Sequence, residues 1–373
     1  MKKKFLLAFT SFIVFFLLCE ALTYAVVFLG IRPKYYVSDI VENYPKYSWN
    51  MYSGPLLQRK KNSYIFWGAL FNNPNKVTIN KYGLRGPTIA KPKKDKTLRI
   101  MFLGGSHVFD LAAPENKDWP NMVATYLKTN QKIEIINAGM PGKSSHDNLA
   151  RYYLDLHTWK PDILVFSGAW NDIRHFHNIS PESSIIQLHA YDTLPSSPSA
   201  LVYNYNTLDY IFGWSLFYSK LRHNYYSSKS FFETKRQKAK KLHDTFSKFA
   251  VEQYKFNLEM LYHACKITNS KLVLLKQSRL PHRNNGKVEK SKINYHARFL
   301  THKALCKAFD LCDQVMDTLQ EKYDDIEVIE TSHLCGKVDY FYDAVHTSSL
   351  GSQKIAQVVA KNLQTFLQDD ENF

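Results

Sequence analysis

Five short, largely apolar runs, separated by longer stretches of helical periodicity, constrain the fold of this 373-residue chain more than any other feature. The runs are 99–104, 132–139, 162–168, 271–277 and 326–331. Strands that are apolar on both faces are typical of a parallel sheet that helices cover on both sides. The chain is therefore predicted to contain an α/β domain with a doubly wound, five-stranded parallel sheet.

The N-terminal segment predicts a helix that crosses a membrane. Residues 5–31 contain Glu20 as their only charged residue before Arg32. A run of that length spans a bilayer as a helix, whereas a cleavable signal needs an apolar core of only about 7 to 15 residues. We therefore interpret residues 1–31 as an uncleaved signal anchor. The three N-terminal lysines favour a cytoplasmic N-terminus, which places the C-terminal domain in the periplasm or an equivalent lumen.

The charge and the cysteines are consistent with an exported domain. The formal net charge of +16 favours anionic partners, which outside the cytosol are acidic glycans or lipid headgroups rather than nucleic acid. Four cysteines lie in the C-terminal third, and they are Cys265, Cys306, Cys312 and Cys335. Their even number suits disulfides in an oxidising compartment, and buried thiols are the second interpretation.

Two further regions precede and interrupt the predicted sheet domain, which we assign to residues 98–373. Residues 32–97 are interpreted as a stalk and an N-terminal elaboration. Residues 176–245 form an insert that is long for a structureless connection and is expected to be a lid or a subdomain.

The insert is rich in aromatic residues and ends in the basic run KRQKAKK at 235–241. Its aromatic residues are Tyr203, Tyr205, Tyr210, Phe212, Trp214, Phe217, Tyr218, Tyr225, Tyr226, Phe231 and Phe232. These side chains could stack on sugar rings or contact a membrane, or they could form a small core beside a solvated helix face.

Glycines and polar residues follow the predicted strands, at the edge where an open parallel sheet forms its binding sites. The segments are GGSH at 104–107, NAGMPGK at 137–143, GAWND at 168–172 and, just before the last predicted helix, DAVH at 343–346. Because the carboxyl ends of parallel strands meet at one edge of the sheet, we expect the four segments to lie close together.

Together these segments contain the groups that acyl transfer needs. Ser106 can act as a nucleophile if a base takes its proton, and His346 is suited to that role near neutral pH. Asp343, three residues earlier, can accept from the imidazole and fix its tautomer. The N–H groups of Ser106 and Gly142 and the carboxamide of Asn171 can stabilise the oxyanion of a tetrahedral intermediate.

The four segments resemble the sequence blocks of the SGNH, or GDSL-type, hydrolase family. The matching residues are Ser106 in FLGGSHVF, Gly142 in NAGMPGKSSHDN, Asn171 in SGAWND, and Asp343 and His346 in YDAVHTSSLG. The resemblance covers roughly residues 98–370 and implies a flavodoxin-like three-layer α/β/α sandwich. It also implies that Ser106 is the nucleophile, that His346 is the general base and acid, and that Asp343 orients His346.

The resemblance further implies that Ser106, Gly142 and Asn171 line the oxyanion hole. The segment INKYGLRG at 79–86 is similar to one that often precedes the first block in exported members. The family usually has Asp before the nucleophile, where this chain has Gly105. This departure removes a hydrogen-bonding side chain but no member of the triad. Gly139 is an alternative to Gly142 in the oxyanion hole, although Gly142 directly precedes the polar run that opens a helix.

Other polar residues near the predicted strand ends carry weaker signals. Arg174 and His107 are candidate substrate contacts, for which a structural or solvent-facing role is the alternative. The histidines in this region are His107, His146, His157, His175 and His177. Because they lack the spacing of metal ligands on a firm element, we expect neither a metal nor another cofactor.

The sequence therefore predicts a membrane-anchored serine esterase that removes acyl groups, acetyl or similar, from a glycan or a lipid. An O-acyltransferase of an envelope polysaccharide could use the same triad, with a sugar hydroxyl in place of water. A non-catalytic protein that holds a glycan or an assembly partner is a third interpretation, but such a protein has no need of all the site residues. The identity of the substrate, the length of the acyl chain and the oligomeric state are left open.

Overall fold

A computed structural model describes residues 2–29, 64–65, 76–77, 80, 82–182, 206–222, 224–225, 228 and 241–369. Most of the predicted stalk, the middle of the aromatic insert and all but the last residue of the KRQKAKK run lie outside the described residues. The chain divides into two compact units, one made of 1–48 with 189–239 and the other of 49–188 with 240–373.

The larger unit contains the predicted parallel sheet. In chain order its strands are β1 (Tyr64–Ile65), β2 (Lys76–Val77), β3 (Thr97–Gly104), β4 (Lys132–Asn137), β5 (Ile163–Ser167), β6 (Lys271–Leu275) and β7 (Glu327–Ile329). β1 and β2 form a separate antiparallel pair. The other five strands are hydrogen-bonded in the order β4-β3-β5-β6-β7, and every neighbouring pair is parallel. This is the strand order of flavodoxin-like sheets, so the predicted fold class is confirmed.

Helices cover both faces of the sheet. In chain order the helices are α1 (Lys2–Phe28), α2 (Ser106–Phe109), α3 (Trp119–Tyr126), α4 (Ser145–Leu154), α5 (Trp170–Ile173), α6 (Thr207–Phe212), α7 (Lys248–Ile267), α8 (Lys287–Ser291), α9 (His302–Lys322) and α10 (Ser349–Asp369). α4, α7 and α9 share a core with Met101 and Leu103 of β3.

The other face of the sheet packs against α3 and α10. Ile100 and Phe102 of β3 belong to this second core, because successive side chains of a strand point to opposite faces. All eight residues of β3 are buried. A strand that is buried on both faces fixes the position of its carboxyl end, and that end leads directly into Ser106.

The cysteines are not paired. All five lie in the described part of the chain, and none forms a disulfide. Cys265 and Cys312 are fully buried in the core between the sheet and α7 and α9. Burial raises the pKa of the Cys265 thiol to about 12, which keeps it protonated and unreactive. The structure thus supports the interpretation of the C-terminal cysteines as apolar core or boundary residues.

Within the residues described, α1 is the one helix that is long and apolar enough to cross a membrane. Its apolar span runs from Lys3 to Val26 with a mean hydropathy of 2.4. Only 6% of that span is buried within the chain, so α1 is not the core helix of a soluble fold. Its length and composition suit a membrane anchor or a signal sequence.

Candidate active site

The chain leaves β3 at Gly104 and begins α2 at Ser106, so the nucleophile candidate lies at the carboxyl end of the central strand. Ser106 is 7% exposed. Its hydroxyl oxygen lies 2.8 Å from His346 Nε2. The geometry suits a hydroxyl that donates to the unprotonated ring nitrogen of the imidazole.

The other ring nitrogen of His346 is also occupied. Nδ1 lies 2.7 Å from Asp343 Oδ2, and the second oxygen of that carboxylate accepts the N–H groups of Val345 and His346, each at 2.9 Å. The carboxylate is therefore fixed by its own backbone turn before it contacts the imidazole. Ser106, His346 and Asp343 thus form one continuous chain of hydrogen bonds.

Asp343 is ionised in this arrangement. Burial opposes its ionisation, but the hydrogen bond and the charge of His346, together with the two backbone N–H donors, hold the pKa of the carboxyl below its usual value. An ionised Asp343 accepts from Nδ1–H and leaves Nε2 as the acceptor that faces Ser106.

Of the predicted oxyanion donors, the Asn171 carboxamide lies beside Gly105, the residue before Ser106. The Asn171 carboxamide donates from Nδ2 to the carbonyl of Lys143 at 2.9 Å. The same Nδ2 atom lies only 2.6 Å from the position that a Cβ atom on residue 105 would occupy. Asn171 therefore reaches both the residue before Ser106 and the residue after Gly142. Gly142 has φ +80°, a left-handed conformation that favours glycine.

Two backbone donors in this region have no acceptor within the part of the chain that the structure describes. They are the N–H groups of Ser106 and Gly142. By contrast, the N–H of Gly139 donates to Asn137 Oδ1 at 3.0 Å, which makes Gly139 unsuitable as an oxyanion donor. Ser106 is buried whereas Gly142 is exposed, and N–H groups without a protein acceptor are available for a charge that develops during a reaction.

Arg298 was not anticipated from the sequence, although it holds Asn171 in place. Its Nη2 donates to Asn171 Oδ1 at 3.2 Å and its Nε to the carbonyl of Trp170 at 2.5 Å, while the guanidinium lies 3.7 Å above the Trp170 ring. Arg298 is buried. Because its guanidinium can only donate, it fixes which end of the Asn171 carboxamide is the oxygen and leaves the NH₂ group facing the Lys143 carbonyl and Gly105.

The segment INKYGLRG at 79–86 contributes Arg85, which contacts the end of the short helix that carries Ser106. Arg85 is buried, and its guanidinium donates to the carbonyls of Phe109 and Asp110 at 2.7 and 2.8 Å. It also pairs with the buried Asp118 at 3.3 Å. These carbonyls lie at the C-terminal end of α2, where the helix leaves them without intrahelical donors. Arg85 thereby fixes the short helix that carries Ser106.

Asp110 connects the two halves of the triad. Its carboxylate accepts the N–H of Trp119 at 2.9 Å and the hydroxyl of Thr347, the residue after His346, also at 2.9 Å. Burial raises the pKa of this carboxyl to about 6. One side chain at the end of α2 is thus hydrogen-bonded to the segment that carries the base.

The two candidate substrate contacts lie in different environments. His107 is 9% exposed, and its Nε2 lies 3.0 Å from the Ser167 hydroxyl. Burial and the nearby His346 lower the pKa of His107 to about 3, so its imidazole is neutral. Arg174 is half-buried at the C-terminal end of α5. Neither observation assigns a substrate contact to these residues, and that role stays a prediction.

The buried neutral His107 predicts a pH dependence of stability. The unfolded chain takes up a proton at His107 below about pH 6.5 while the folded chain does not, so this site lowers stability as the pH falls, by about 2 kcal/mol at pH 5. In thermal unfolding of the full chain in detergent, wild type should therefore lose stability between pH 7 and pH 5 relative to His107→Gln. Asp110 acts in the opposite direction in both proteins and cancels in the comparison. Parallel curves for the two proteins would contradict the assignment.

No protein-family model matches this chain, and no curated protein matches it either. Its structural neighbours include GDSL hydrolases and acetylxylan esterases. A putative lipolytic protein of the G-D-S-L family from Desulfitobacterium hafniense DCB-2 has 9% identity and a TM-score of 0.39, and the match covers 71% of this chain and 99% of that one.

Two further neighbours have similar scores. A catalytic mutant of Axe2, an acetylxylan esterase from Geobacillus stearothermophilus, has 14% identity, a TM-score of 0.42 and coverage of 74% and 96%. A lipase/acylhydrolase from Enterococcus faecalis has 14% identity, a TM-score of 0.40 and coverage of 72% and 96%. At this level of similarity the function of this chain has to be inferred from its own side chains.

Proposed function

We propose that this protein is a membrane-anchored serine esterase that cleaves acyl esters through an acyl-enzyme on Ser106. The observation that carries the proposal is the hydrogen-bond chain from the Ser106 hydroxyl through His346 to Asp343, with distances of 2.8 and 2.7 Å. A nucleophile, a base and a group that orients the base, in hydrogen-bond contact, are the arrangement that activates a serine.

In the first half of the reaction, Ser106 Oγ attacks the ester carbonyl carbon while its proton moves to His346 Nε2. The carbonyl oxygen becomes an oxyanion, which the N–H groups of Ser106 and Gly142 and the Asn171 carboxamide stabilise. When the tetrahedral intermediate collapses, the bond to the leaving alkoxide breaks, and His346 returns the proton to that oxygen. The products are a free alcohol and an acyl group on Ser106.

The second half of the reaction repeats these steps with water. His346 takes a proton from water, the resulting hydroxide attacks the acyl carbonyl, and collapse of the intermediate returns the proton to Ser106 Oγ. The same base can activate the hydroxyl of a sugar. A protein with this triad would then transfer the acyl group instead of hydrolysing it, so the acceptor distinguishes an esterase from an O-acyltransferase.

We further propose that the substrate is an acetylated or similarly acylated glycan or lipid on the periplasmic, or equivalent lumenal, side. Support comes from the apolar helix α1, which suits a single-pass anchor, and from the net charge of +16, which favours anionic glycans and headgroups. A C-terminal reporter that is active only in the cytosol should remain silent, and a signal from it would contradict this topology.

The decisive experiment treats the full chain in detergent with a fluorophosphonate probe and with p-nitrophenyl acetate. Wild type should be labelled at Ser106 and should release nitrophenolate, whereas Ser106→Ala should do neither. Ser291→Ala, at an exposed serine outside the site, is the matched control and should behave as wild type. Equal turnover by wild type and Ser106→Ala would refute the proposal.

Butyryl and octanoyl esters define the length of the acyl chain that the protein accepts. Added oligosaccharide shows whether a sugar hydroxyl accepts the acyl group.

A further inference from the structure

The apolar helix α1 carries one carboxylate in the middle of its apolar sequence, and the structure shows what that carboxylate binds. Glu20 Oε2 accepts the hydroxyl of Ser215 at 2.6 Å and the N–H of Phe217 at 2.9 Å, and Oε1 accepts the N–H of Leu216 at 2.8 Å. These donors lie about 195 residues further along the chain, in the aromatic insert. Residues 216–222 are helical, so Glu20 caps the N-terminus of that helix, where a negative charge is favourable.

Glu20 is too deep in the apolar span to reach water easily. With the rise of an α-helix, it lies ~9 Å from Val26 and ~26 Å from Lys3. The hydrocarbon core of a bilayer is about 30 Å thick, so a centred α1 places Glu20 inside the core, in the half nearer its C-terminal end. An ionisable group at such a depth normally has a specific partner. Ser215, Leu216 and Phe217 provide that partner.

Aromatic contacts join the same two elements. The Phe16 ring, one turn before Glu20 on α1, lies 5.7 Å from the ring of Phe212, 5.9 Å from Phe217 and 6.4 Å from Trp214. A cleaved signal peptide would lose these contacts and the Glu20 hydrogen bonds. Their presence in one compact unit, 1–48 with 189–239, favours a helix that is retained as an anchor.

Several other polar groups of the segment 206–222 are paired within the segment. Asn206 caps α6 by accepting from the N–H groups of Leu208 and Asp209. Asp209 and Arg222 form a buried ion pair, with 2.8 Å between Oδ2 and Nη2, and the Tyr218 hydroxyl donates to Asp209 Oδ1 at 2.7 Å. In a bilayer, short helices and charges are tolerated only where protein groups complete their hydrogen bonds.

Most exposed side chains of this segment are apolar, and the polar exceptions, Asn206 and Thr207, lie at its start. Five side chains are between 48% and 79% exposed, and they are Leu208, Tyr210, Ile211, Trp214 and Leu221. The exposed side chains of α1 are apolar as well, and they include Phe12 and Leu22. An apolar surface of this kind is unfavourable in water. Lys220 is half-buried, and a lysine stem can extend its ammonium group to the headgroup region.

We propose that residues 206–222 are embedded in the bilayer beside α1, in the half nearer the C-terminal end of that helix, and that phospholipid acyl chains cover their exposed apolar side chains. This part of the insert, residues 206–222, is then membrane-embedded and clamped by Glu20 rather than part of a sugar-binding lid. This inference requires that α1 is the anchor assigned under the proposed function, but it does not depend on the chemistry of Ser106.

The first experiment measures contact with lipid. The full chain is reconstituted in nanodiscs of phosphatidylcholine and phosphatidylglycerol, with an environment-sensitive fluorophore on Leu208→Cys and the labelled parent protein as the blank. Lipids with a nitroxide in the acyl chain should quench this fluorophore strongly. They should not quench the same label on Val288→Cys, an exposed position of the larger unit. A label on Leu208→Cys that responds only to a water-soluble quencher would overturn the proposal.

The second experiment tests the clamp in native membranes. In a Cys19→Ser background, Phe16→Cys and Phe217→Cys should form a disulfide on oxidation, whereas Phe9→Cys and Phe217→Cys, two turns away along α1, should not. Glu20→Leu should reduce the Phe16–Phe217 cross-link several-fold, with Glu20→Gln between Glu20→Leu and wild type. Equal cross-linking with and without Glu20 would refute the clamp. Carbonate extraction of each variant distinguishes loss of the clamp from loss of the anchor. A variant without a working anchor is released from the membrane as a whole chain whose Ser106 is still reactive, whereas a variant that has lost only the clamp stays in the membrane.

Discussion

Replacing His346 with alanine should lower kcat/KM for an acyl ester by ~10⁴-fold or more, because a serine hydroxyl without its base is a poor nucleophile. In this chain Nε2 lies 2.8 Å from Ser106 Oγ, so the imidazole both takes the proton and returns it to the leaving group. The loss should fall mainly on kcat, since His346 interacts with the reacting atoms more strongly in the transition state than in the bound substrate. Steady-state hydrolysis of p-nitrophenyl acetate by the full chain in detergent measures the effect.

The double variant Ser106→Ala with His346→Ala distinguishes a working triad from two independent contributions. If the two residues act as one unit, the double variant should be no less active than either single variant. His333→Ala, at an exposed histidine of the same region, is the matched control and should keep wild-type activity. A His346→Ala protein that retains more than a tenth of wild-type turnover would contradict the assignment of the base.

The fold was predictable because the strands of a parallel sheet are buried on both faces and therefore appear in the sequence as continuous apolar runs. Every predicted run overlaps a strand of the sheet, and the differences lie at the ends. The run 326–331 yields only Glu327–Ile329. Beyond it, Thr331 turns back, and its hydroxyl donates to the carbonyl of Lys276. A tertiary hydrogen bond thus ends the strand two residues early, and no local pattern reports such a bond.

The candidate site was predictable only where a local motif marks it. Ser106 and His346 are 240 residues apart, but both follow from the rule that strand ends converge. Arg298 was missed because its partner Asn171 lies 127 positions away and its own segment is irregular. Arg85 lies in the segment INKYGLRG, but its contacts with the carbonyls at the end of α2 depend on how the loop packs and are not visible in the spacing of residues.

Replacing Gly105 with alanine should lower kcat by ~10²- to 10³-fold with little change in KM, which is the cost of losing one oxyanion donor. The backbone of Gly105 is ordinary, with φ −87°, so the effect is steric. A Cβ atom there would lie 2.6 Å from Asn171 Nδ2 and 3.2 Å from the Lys143 carbonyl oxygen. Arg298 and Lys143 hold the carboxamide in that space, and it would have to move away from the oxyanion.

Gly105, which stands where the SGNH hydrolase pattern has Asp, is therefore explained by its neighbour Asn171, and a second substitution tests this explanation. In an Asn171→Ala background, Gly105→Ala should cost almost nothing more, because the side chain with which it collides is gone. Gly105→Asp, which introduces the residue usual in SGNH hydrolases, should lower activity at least as much as Gly105→Ala. Gly286→Ala, at a glycine outside the site, controls for a general effect on helix starts. Two outcomes would contradict this explanation. One is that the activity losses of Gly105→Ala and Asn171→Ala multiply in the double variant, and the other is that Gly105→Asp raises turnover. Either result would mean that Asn171 does not occupy the space beside Gly105 and that the donor geometry described for this site is wrong.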